Sequence, residues 1–199
     1  MNAPKPVQRD AACVQGGPAT PRLETPRLLL RPLQLDDFDA WAELSADAET
    51  MRFLGGVQPR SVAWRSFLFV AGGWSLQGFA PFSVIEKASG RWIGRVGPLC
   101  PEGWPGTEIG WTIARHVWGR GYASEAAEAA TDWAFRTLGW TEIIHCIHAD
   151  HAASQAVARK LGSSPLRTTR MPPPFEDEVV GIWVQSSEEW FARHKAATT

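Results

Sequence analysis

Two glycines directly before an alanine-rich segment form the part of the sequence best suited to hold a phosphate. The motif at residues 118–123 reads WGRGYA. Glycine lets the backbone approach a ligand closely, and the first turn of a helix offers free N–H groups and a positive dipole end. The motif lacks the Lys-[Ser/Thr] of a P-loop, and Ser124 stands where the dinucleotide fingerprint needs its third glycine. The pattern indicates a phosphate or pyrophosphate site, and a glycine turn made only for packing is equally compatible.

Glu108 is a candidate general base on a predicted central strand. It belongs to the alternating segment TEIGWTI at residues 107–113, in which the large apolar residues share one face and Glu108 lies on the other. A carboxylate there could remove a proton from a nucleophile. A structural ion pair with an arginine across the sheet is an equally compatible role. His145 and His148 are weaker candidates, because such histidines more often belong to a core or a surface.

The elements that must position these residues alternate between strands and helices in the second half of the chain, which predicts a mixed α/β sheet. An amphipathic helix is predicted over residues 121–138, because alanines recur at helical spacing and Gly139 supplies a C-cap. The glycines at 72–73 are expected to end an earlier helix, and residues 98–106 to form an exposed loop. Other helices are predicted over 36–44, 48–54, 61–70, 152–161 and 187–194, and strands over 23–33, 79–86, 91–99, 107–113, 141–148, 166–170 and 179–185.

Composition limits the classes of partner. The chain has 199 residues, of which 44% are hydrophobic and 21% charged, as in a single globular domain. Its net charge of −1 gives no support to nucleic-acid or membrane binding. Three cysteines without metal or disulfide spacing predict no metal and a reducing cytoplasm. A flexible arm is expected over residues 1–21, and one domain over residues 22–195.

The glycine motif and its flanks resemble the GNAT superfamily of acetyl-CoA-dependent N-acetyltransferases, and within it the RimJ/RimL-like branch. The resemblance rests on EIGWTIARHVWGRGYASEAAEAATDWAF and HAASQAVARKLG, and it extends over about residues 23–185 through LETPRLLLRPLQLDDFDAW and AETMRFLGG. It implies an α/β (α+β) GNAT fold, a mixed, mostly antiparallel twisted sheet of about six or seven strands with splayed central strands and flanking helices. It also implies acetyl-CoA as cosubstrate and a small-molecule or peptide amine as acceptor, and it is compatible with a homodimer.

The resemblance implies a coenzyme site made mostly of backbone. Residues 111–113 would lie between two splayed strands and bind the pantetheine arm, while residues 117–123 would hold the pyrophosphate beside the Arg120 cation. The chain departs from the family pattern at His116, where Gln or Arg is usual, and at His151, where Asn is common. The implied coenzyme-binding residues are Trp111, Thr112, Ile113, His116, Val117, Trp118, Gly119, Arg120, Gly121, Tyr122, Ala123, His151 and Ser154.

The implied reaction needs two groups that handle protons. An amine resembling lysine, with a pKa of about 10.4, must lose a proton before it attacks the thioester, and the leaving thiolate gains from a hydrogen-bond donor. Many relatives use a tyrosine as donor, whereas RimL-like members can use a serine at the position of Ser154. The single tyrosine, Tyr122, lies in the glycine motif instead. Helix capping is the structural alternative for Ser154. Glu108 would act as the base, directly or through a water. The acetyl group would pass directly to the amine, without an acetylated Cys146 as an intermediate.

The acceptor cleft implied by the resemblance lies between the early helices and the last strand pair. Four aromatic residues could line it or belong to the core, namely Trp41, Phe53, Trp64 and Trp74. The acidic residues 176–178 could attract a cationic amine or form a solvated loop. Two alternatives to an enzyme remain, a catalytically silent acyl-CoA-binding sensor or scaffold and, with weaker support, a nucleotide-binding regulatory domain.

Overall fold

A computed structural model describes residues 21–196, so the arm predicted over residues 1–21 falls outside the described residues except for its last position. The helices in this part of the chain are α1 (Phe38–Ala46), α2 (Ala48–Met51), α3 (Arg60–Leu76), α4 (Tyr122–Trp133), α5 (Ala152–Leu161) and α6 (Ser187–Ala196). The strands are β1 (Leu23–Glu24), β2 (Leu28–Arg31), β3 (Phe82–Glu86), β4 (Trp92–Leu99), β5 (Glu108–Ile113), β6 (Glu142–His148), β7 (Ser164–Arg170) and β8 (Val179–Ser186). None of these helices is long and apolar enough to cross a membrane.

These strands form one sheet in the order β1-β2-β3-β4-β5-β6-β8-β7. Neighbours are antiparallel except β5 and β6, which are parallel, so the predicted mixed, mostly antiparallel sheet is confirmed. The expected six or seven strands become eight within the described residues because the predicted strand over 23–33 is divided. The chain reverses at Pro26, where Thr25 N–H donates to the carbonyl of Leu28 at 3.0 Å. Proline fixes φ and carries no N–H, which suits this turn between two short strands.

Helix α4 covers one face of the sheet with alanines. Ala126, Ala127 and Ala130 are fully buried and belong to the main core, together with side chains of β2 to β6. Small side chains let the helix axis approach the sheet closely. The predicted helix over residues 121–138 is confirmed as α4 and a π-helical extension, which ends at Gly139 with a φ of +68°.

Helix α1 covers the opposite face and is tied to the sheet by a buried ion pair. Asp37, in the 3-10 turn before α1, is 4% exposed and accepts hydrogen bonds of 2.7 Å from each terminal nitrogen of Arg31 on β2. Its carboxylate also accepts from Ser83 Oγ on β3 at 2.7 Å and from the backbone N–H of Gln34 at 2.9 Å. Burial alone would raise the pKa of Asp37, but these hydrogen bonds outweigh burial and hold the pKa below its ordinary value.

The end of α3 differs from the sequence expectation. The helix continues through the glycines at 72–73 and ends at Leu76. Gly73 serves close packing rather than termination, because a Cβ there would lie 3.1 Å from the Cβ of Ala80 and 3.2 Å from the carbonyl oxygen of Phe79. A glycine that permits close approach cannot be told from a helix stop by its position alone.

The predicted strand over residues 91–99 and the predicted exposed loop over residues 98–106 overlap at residues 98–99. Pro98 and Leu99 belong to the strand, where they pair with Ile109 and Glu108 on β5. The end of the predicted strand at Leu99 is therefore confirmed, and the irregular segment begins at Cys100.

Candidate active site

Strands β5 and β6 separate after a single paired position. Glu108 on β5 pairs with Ile144 on β6, and the backbone N–H of Ile144 donates to the carbonyl of Thr107 at 2.8 Å. Within residues 21–196 the two strands share no further register pair, whereas β6 stays paired with β8 as far as His148. The result is a V-shaped opening between central strands, as the resemblance implied. Backbone groups along such an opening lack a strand partner and are available to a ligand.

His145 joins the two strands at the closed end of the opening. Its Nδ1–H donates to the carbonyl of Ile109 at 2.7 Å, since a carbonyl only accepts, and its Nε2 accepts from Ser163 Oγ at 2.9 Å. The residue is 1% exposed, and burial lowers the pKa of the imidazole to about 4. Both ring nitrogens are thus occupied in a neutral, structural side chain, in agreement with its lower rank among the candidate bases.

Ser154 lies in the first turn of α5, beside the opening. Its Oγ accepts from Trp111 Nε1–H at 3.1 Å and lies 3.3 Å from Nε2 of His151. An indole nitrogen only donates, so the Ser154 hydroxyl keeps its own proton for His151 or for a ligand. The structure therefore brings together three residues that the sequence analysis assigned to the coenzyme site.

Phe53, which follows α2, covers the same group of residues. Its ring stacks on His151 with centroids 4.5 Å apart and on His148 with centroids 5.1 Å apart. Burial, with a smaller contribution from the charge of His148, lowers the pKa of His151. His151 is therefore neutral at pH 7, and one ring nitrogen can accept the Ser154 hydroxyl proton.

The glycine motif forms a turn at the N-terminus of α4. Gly119 and Gly121 have φ values of +74° and +79°, a conformation that other residues rarely adopt. A Cβ at Gly119 would meet nothing within 4 Å, so packing does not explain this glycine and the surface above it is open. The N–H groups of the first turn, which begins at Tyr122, have no helical acceptor. With Arg120 exposed beside them, these donors fit a pyrophosphate.

Side chains from the sheet support this turn. Nη1 of Arg27 donates to the carbonyl of Arg120 at 2.8 Å, and its Nε donates to Glu125 Oε2 at 2.6 Å. The Tyr122 hydroxyl donates to Glu86 Oε1 at 2.5 Å, and this hydrogen bond is the main cause of a raised pKa for the phenol. The single tyrosine is therefore part of the support of the turn, away from Ser154.

Glu108 is buried on the face of β5 that α1 covers. It is 6% exposed, and its carboxylate accepts from Trp104 Nε1 at 2.5 Å and from the backbone N–H of Cys146 at 3.1 Å. Burial raises the pKa of Glu108 despite these hydrogen bonds. The alternative ion pair with an arginine is not formed within the described residues. Sequence reasoning missed Trp104, because it lies in an irregular segment without periodicity.

The surroundings of Cys146 do not activate its thiol as a nucleophile. Burial, reinforced by the neighbouring Glu108, raises the pKa of its thiol, which keeps the sulfur protonated at neutral pH. Among the described residues there is also no group of three or more His, Cys, Asp or Glu side chains arranged to hold a metal ion.

A cleft of about 800 Å³ opens between α1 and the adjoining ends of β4 and β5. His116 lines it, together with Arg91, Trp92 and Arg115. His116 precedes the first glycine of the turn by three residues in the sequence, and it is the lining residue nearest to the predicted pyrophosphate site along the chain.

The aromatic residues expected near the acceptor divide into two groups. Trp41 and Trp64 pack in the second core between α1 and α3. Trp74 contacts Phe82 with ring centroids 4.8 Å apart and belongs beside the main core. Phe53 alone of the four contacts the residues around Ser154 through a ring contact. Periodicity cannot distinguish these roles, because core and cleft residues share the same helical spacing.

The split sheet and the glycine turn before α4 are the features expected of a GNAT-type acetyltransferase. A family model described as "Acetyltransferase (GNAT) domain" matches residues 27–164. The chain is 32% identical over 124 residues to the uncharacterized N-acetyltransferase p20 of Bacillus licheniformis, covering 61% of this chain and 70% of the relative. It is 28% identical over 197 residues to FsC-acetyl coenzyme A-N(2)-transacetylase of Aspergillus fumigatus, covering 91% and 83% of the two chains.

Solved structures agree with this class. An acetyltransferase from Agrobacterium tumefaciens superposes with a TM-score of 0.73 at 29% identity, covering 84% of this chain and 95% of that one. Mycobacterium smegmatis RimJ in complex with CoA-disulfide gives a TM-score of 0.66 at 18% identity, covering 90% and 94%, and supports the fold alone. The chain belongs to the GNAT acetyltransferase family and is an acetyl-CoA-dependent acetyltransferase.

Because His145 is neutral when folded and can take up a proton when unfolded, it should make stability depend on pH. Its contribution is complete above the unfolded pKa of about 6.5 and is lost as the pH falls toward about 4, a loss on the order of 3 kcal/mol. In urea unfolding between pH 7 and 4, His145→Gln should reduce the slope of stability against pH. His116→Gln, which changes an exposed imidazole, is the control. A wild-type slope in His145→Gln would contradict the assignment.

Proposed function

We propose that this acetyltransferase transfers the acetyl group of acetyl-CoA to a primary amine, by direct attack of the amine in a ternary complex. The observation that carries the proposal is the Ser154 hydroxyl, which accepts from Trp111 Nε1–H at 3.1 Å beside the strand opening and retains a proton to donate. We assign the chain to the RimJ/RimL-like branch and to the cytoplasm. The acceptor classes of that branch are protein N-termini, amino acids, polyamines and antibiotics.

Acetyl-CoA supplies the activated acetyl group as a thioester. The backbone of residues 111–113 borders the opening and would hold the pantetheine arm, whose amides match unpaired strand groups. The turn at residues 117–123 would hold the pyrophosphate through N–H groups at the start of α4 and the positive charge of Arg120. In this assignment most coenzyme contacts come from the backbone. The side chains of His116 and His151 would make the coenzyme contacts that differ from the usual family pattern.

Two side chains handle the protons of the reaction. Ser154 would donate a hydrogen bond to the departing thiolate and stabilise the charge that develops there. Glu108 would take the proton of the amine, and because it is only 6% exposed, a water would carry the proton to it. Its raised pKa brings the carboxylate closer to the operating pH, which makes it a better base. The protonated, buried Cys146 thiol supports direct transfer over an acetyl-cysteine intermediate.

The buried Glu108 also favours an enzyme over the two alternatives, a silent acyl-CoA-binding sensor and a nucleotide-binding domain. A thiol-release assay with acetyl-CoA and amines of the four acceptor classes tests the proposal. In parallel, acetyl-CoA at 100 times its Kd should add about 2.7 kcal/mol of stability, whereas ATP and NAD should add none. Binding without turnover across the panel would favour the sensor, and stabilisation by ATP or NAD alone would favour the nucleotide domain.

Replacing Ser154 tests the donor to the sulfur. Ser154→Ala should lower kcat roughly tenfold to hundredfold, the range for one hydrogen bond to a charged group, with acetyl-CoA affinity nearly unchanged. Steady-state kinetics and a binding titration measure the two effects. Ser66→Ala on α3 is the matched control, because Ser66 is remote from the opening. An unchanged kcat in Ser154→Ala would exclude this role.

Replacing Glu108 tests the base. The wild-type kcat/KM should rise as the pH increases through the raised pKa of Glu108, because only the carboxylate accepts a proton. Glu108→Gln should flatten this limb and lower the rate about hundredfold, while the amide can still accept from Trp104. Glu102→Gln, in the neighbouring loop, is the control. If Glu108→Gln keeps the wild-type profile, another group is the base.

A further inference from the structure

Two neighbouring hydrogen-bond donors on the α1 face of the sheet have no acceptor. The side chain of Arg95 on β4 forms no hydrogen bond or ion pair within residues 21–196, and its Cζ lies 4.6 Å from the centroid of the Trp41 ring. Trp41 is 2% exposed, and its Nε1–H is buried without a partner among the described residues. Buried donors are normally paired, because an unpaired buried donor loses its hydrogen bonds to water without replacement.

The Arg95 guanidinium has no acidic partner among the described residues, although other groups pack closely around it. Arg95 is partly exposed, yet burial lowers the pKa of its guanidinium to about 10, and the group remains charged at neutral pH. Arg31, on the same face of the sheet, instead has Asp37 as a counter-ion. A cation–π contact with the Trp41 ring does not use the hydrogen-bonding capacity of the guanidinium, whose N–H groups can therefore bind an anion.

These donors lie on the face that carries the proposed base. Arg95 pairs with Thr112 in the β4–β5 register, and Thr112 and Glu108 project on the same side of β5 because they are an even number of residues apart. The four-residue separation corresponds to roughly 13 Å along the strand, before the reach of the side chains is considered. A molecule lying along β5 on this side could therefore contact both Arg95 and the surroundings of Glu108.

We infer that the acceptor is an amino carboxylate, whose carboxylate pairs with the Arg95 guanidinium beside the Trp41 ring while its amine reaches toward Glu108. This inference rests on the proposed function. A carboxylate offers two oxygens in the geometry that a guanidinium fork matches, and it supplies the acceptor that Arg95 lacks. The distance along β5 favours acceptors whose amine and carboxylate are several bonds apart, such as ω-amino acids or short peptides.

The kinetic test compares each carboxylate with its own carboxamide. Suitable pairs are 6-aminohexanoate and 6-aminohexanamide, and Gly-Gly and Gly-Gly-amide, with kcat/KM measured by thiol release. Wild type should prefer the carboxylates roughly tenfold to hundredfold, as for one charge-assisted contact. Arg95→Gln should remove this preference, because it should lower the carboxylate rates much more than the carboxamide rates. Arg65→Gln, an exposed arginine on α3, is the matched control and should retain it. Equal losses for both members of a pair in Arg95→Gln, or no preference in wild type, would overturn the inference.

A binding test separates the anion site from the chemistry. In ¹⁵N-labelled protein with coenzyme A, the Trp41 indole N–H resonance, assigned with Trp41→Phe, is followed during titration with 6-acetamidohexanoate or its carboxamide. The carboxylate should shift the resonance in wild type but not in Arg95→Gln, and the carboxamide should shift it in neither. A shift without turnover of any amine would retain the anion site and refute the proposed function. Turnover without a shift would refute the anion site alone.

Discussion

The parting of β5 and β6 is the constraint on which the rest of the structure depends. Two parallel strands that share one register pair leave backbone donors and acceptors without partners, and such groups are costly unless something satisfies them. His145 satisfies one of them at the closed end by donating to the carbonyl of Ile109. Further along the opening, Ser154 approaches from α5 through its contact with Trp111. The same separation thus creates both the space for an amide-rich coenzyme arm and the position of its proposed hydrogen-bond donor.

In the proposed reaction, the two faces of the sheet contact different substrates. Alanines on α4 keep that helix close to the sheet, and its N-terminus follows β5 after the segment 114–121. On the other face, the Asp37 carboxylate fixes the start of α1 to β2 and β3, and α1 in turn supplies Trp41 beside Arg95. Strand β5 lies between the two systems and presents one of its sides to each, because successive side chains alternate.

The sequence predicted best what depends on local pattern. Alanine periodicity located α4, and alternation put Glu108 on the correct side of β5. Gly73 was misread because close approach to Ala80 depends on a chain reversal that no local pattern reveals. Trp104 and Arg95 were not singled out for the same reason. The role of Trp104 depends on its hydrogen bond to Glu108 in the folded chain, and that of Arg95 depends on strand register and on the absence of an acidic partner among the described residues. A missing partner leaves no signal in a single sequence, whereas a repeated residue does.

The support of the glycine turn has a consequence for coenzyme affinity. Arg27 holds the carbonyl of Arg120, and Tyr122 is anchored to Glu86, so the turn is fixed by contacts with the sheet. Its conformational entropy is lost when the protein folds, and ligand binding does not have to order it again. In the proposed coenzyme complex, a preorganised turn of this kind would let phosphate contacts contribute nearly in full to affinity. It also predisposes the free protein to retain inorganic anions that match the shape of a pyrophosphate.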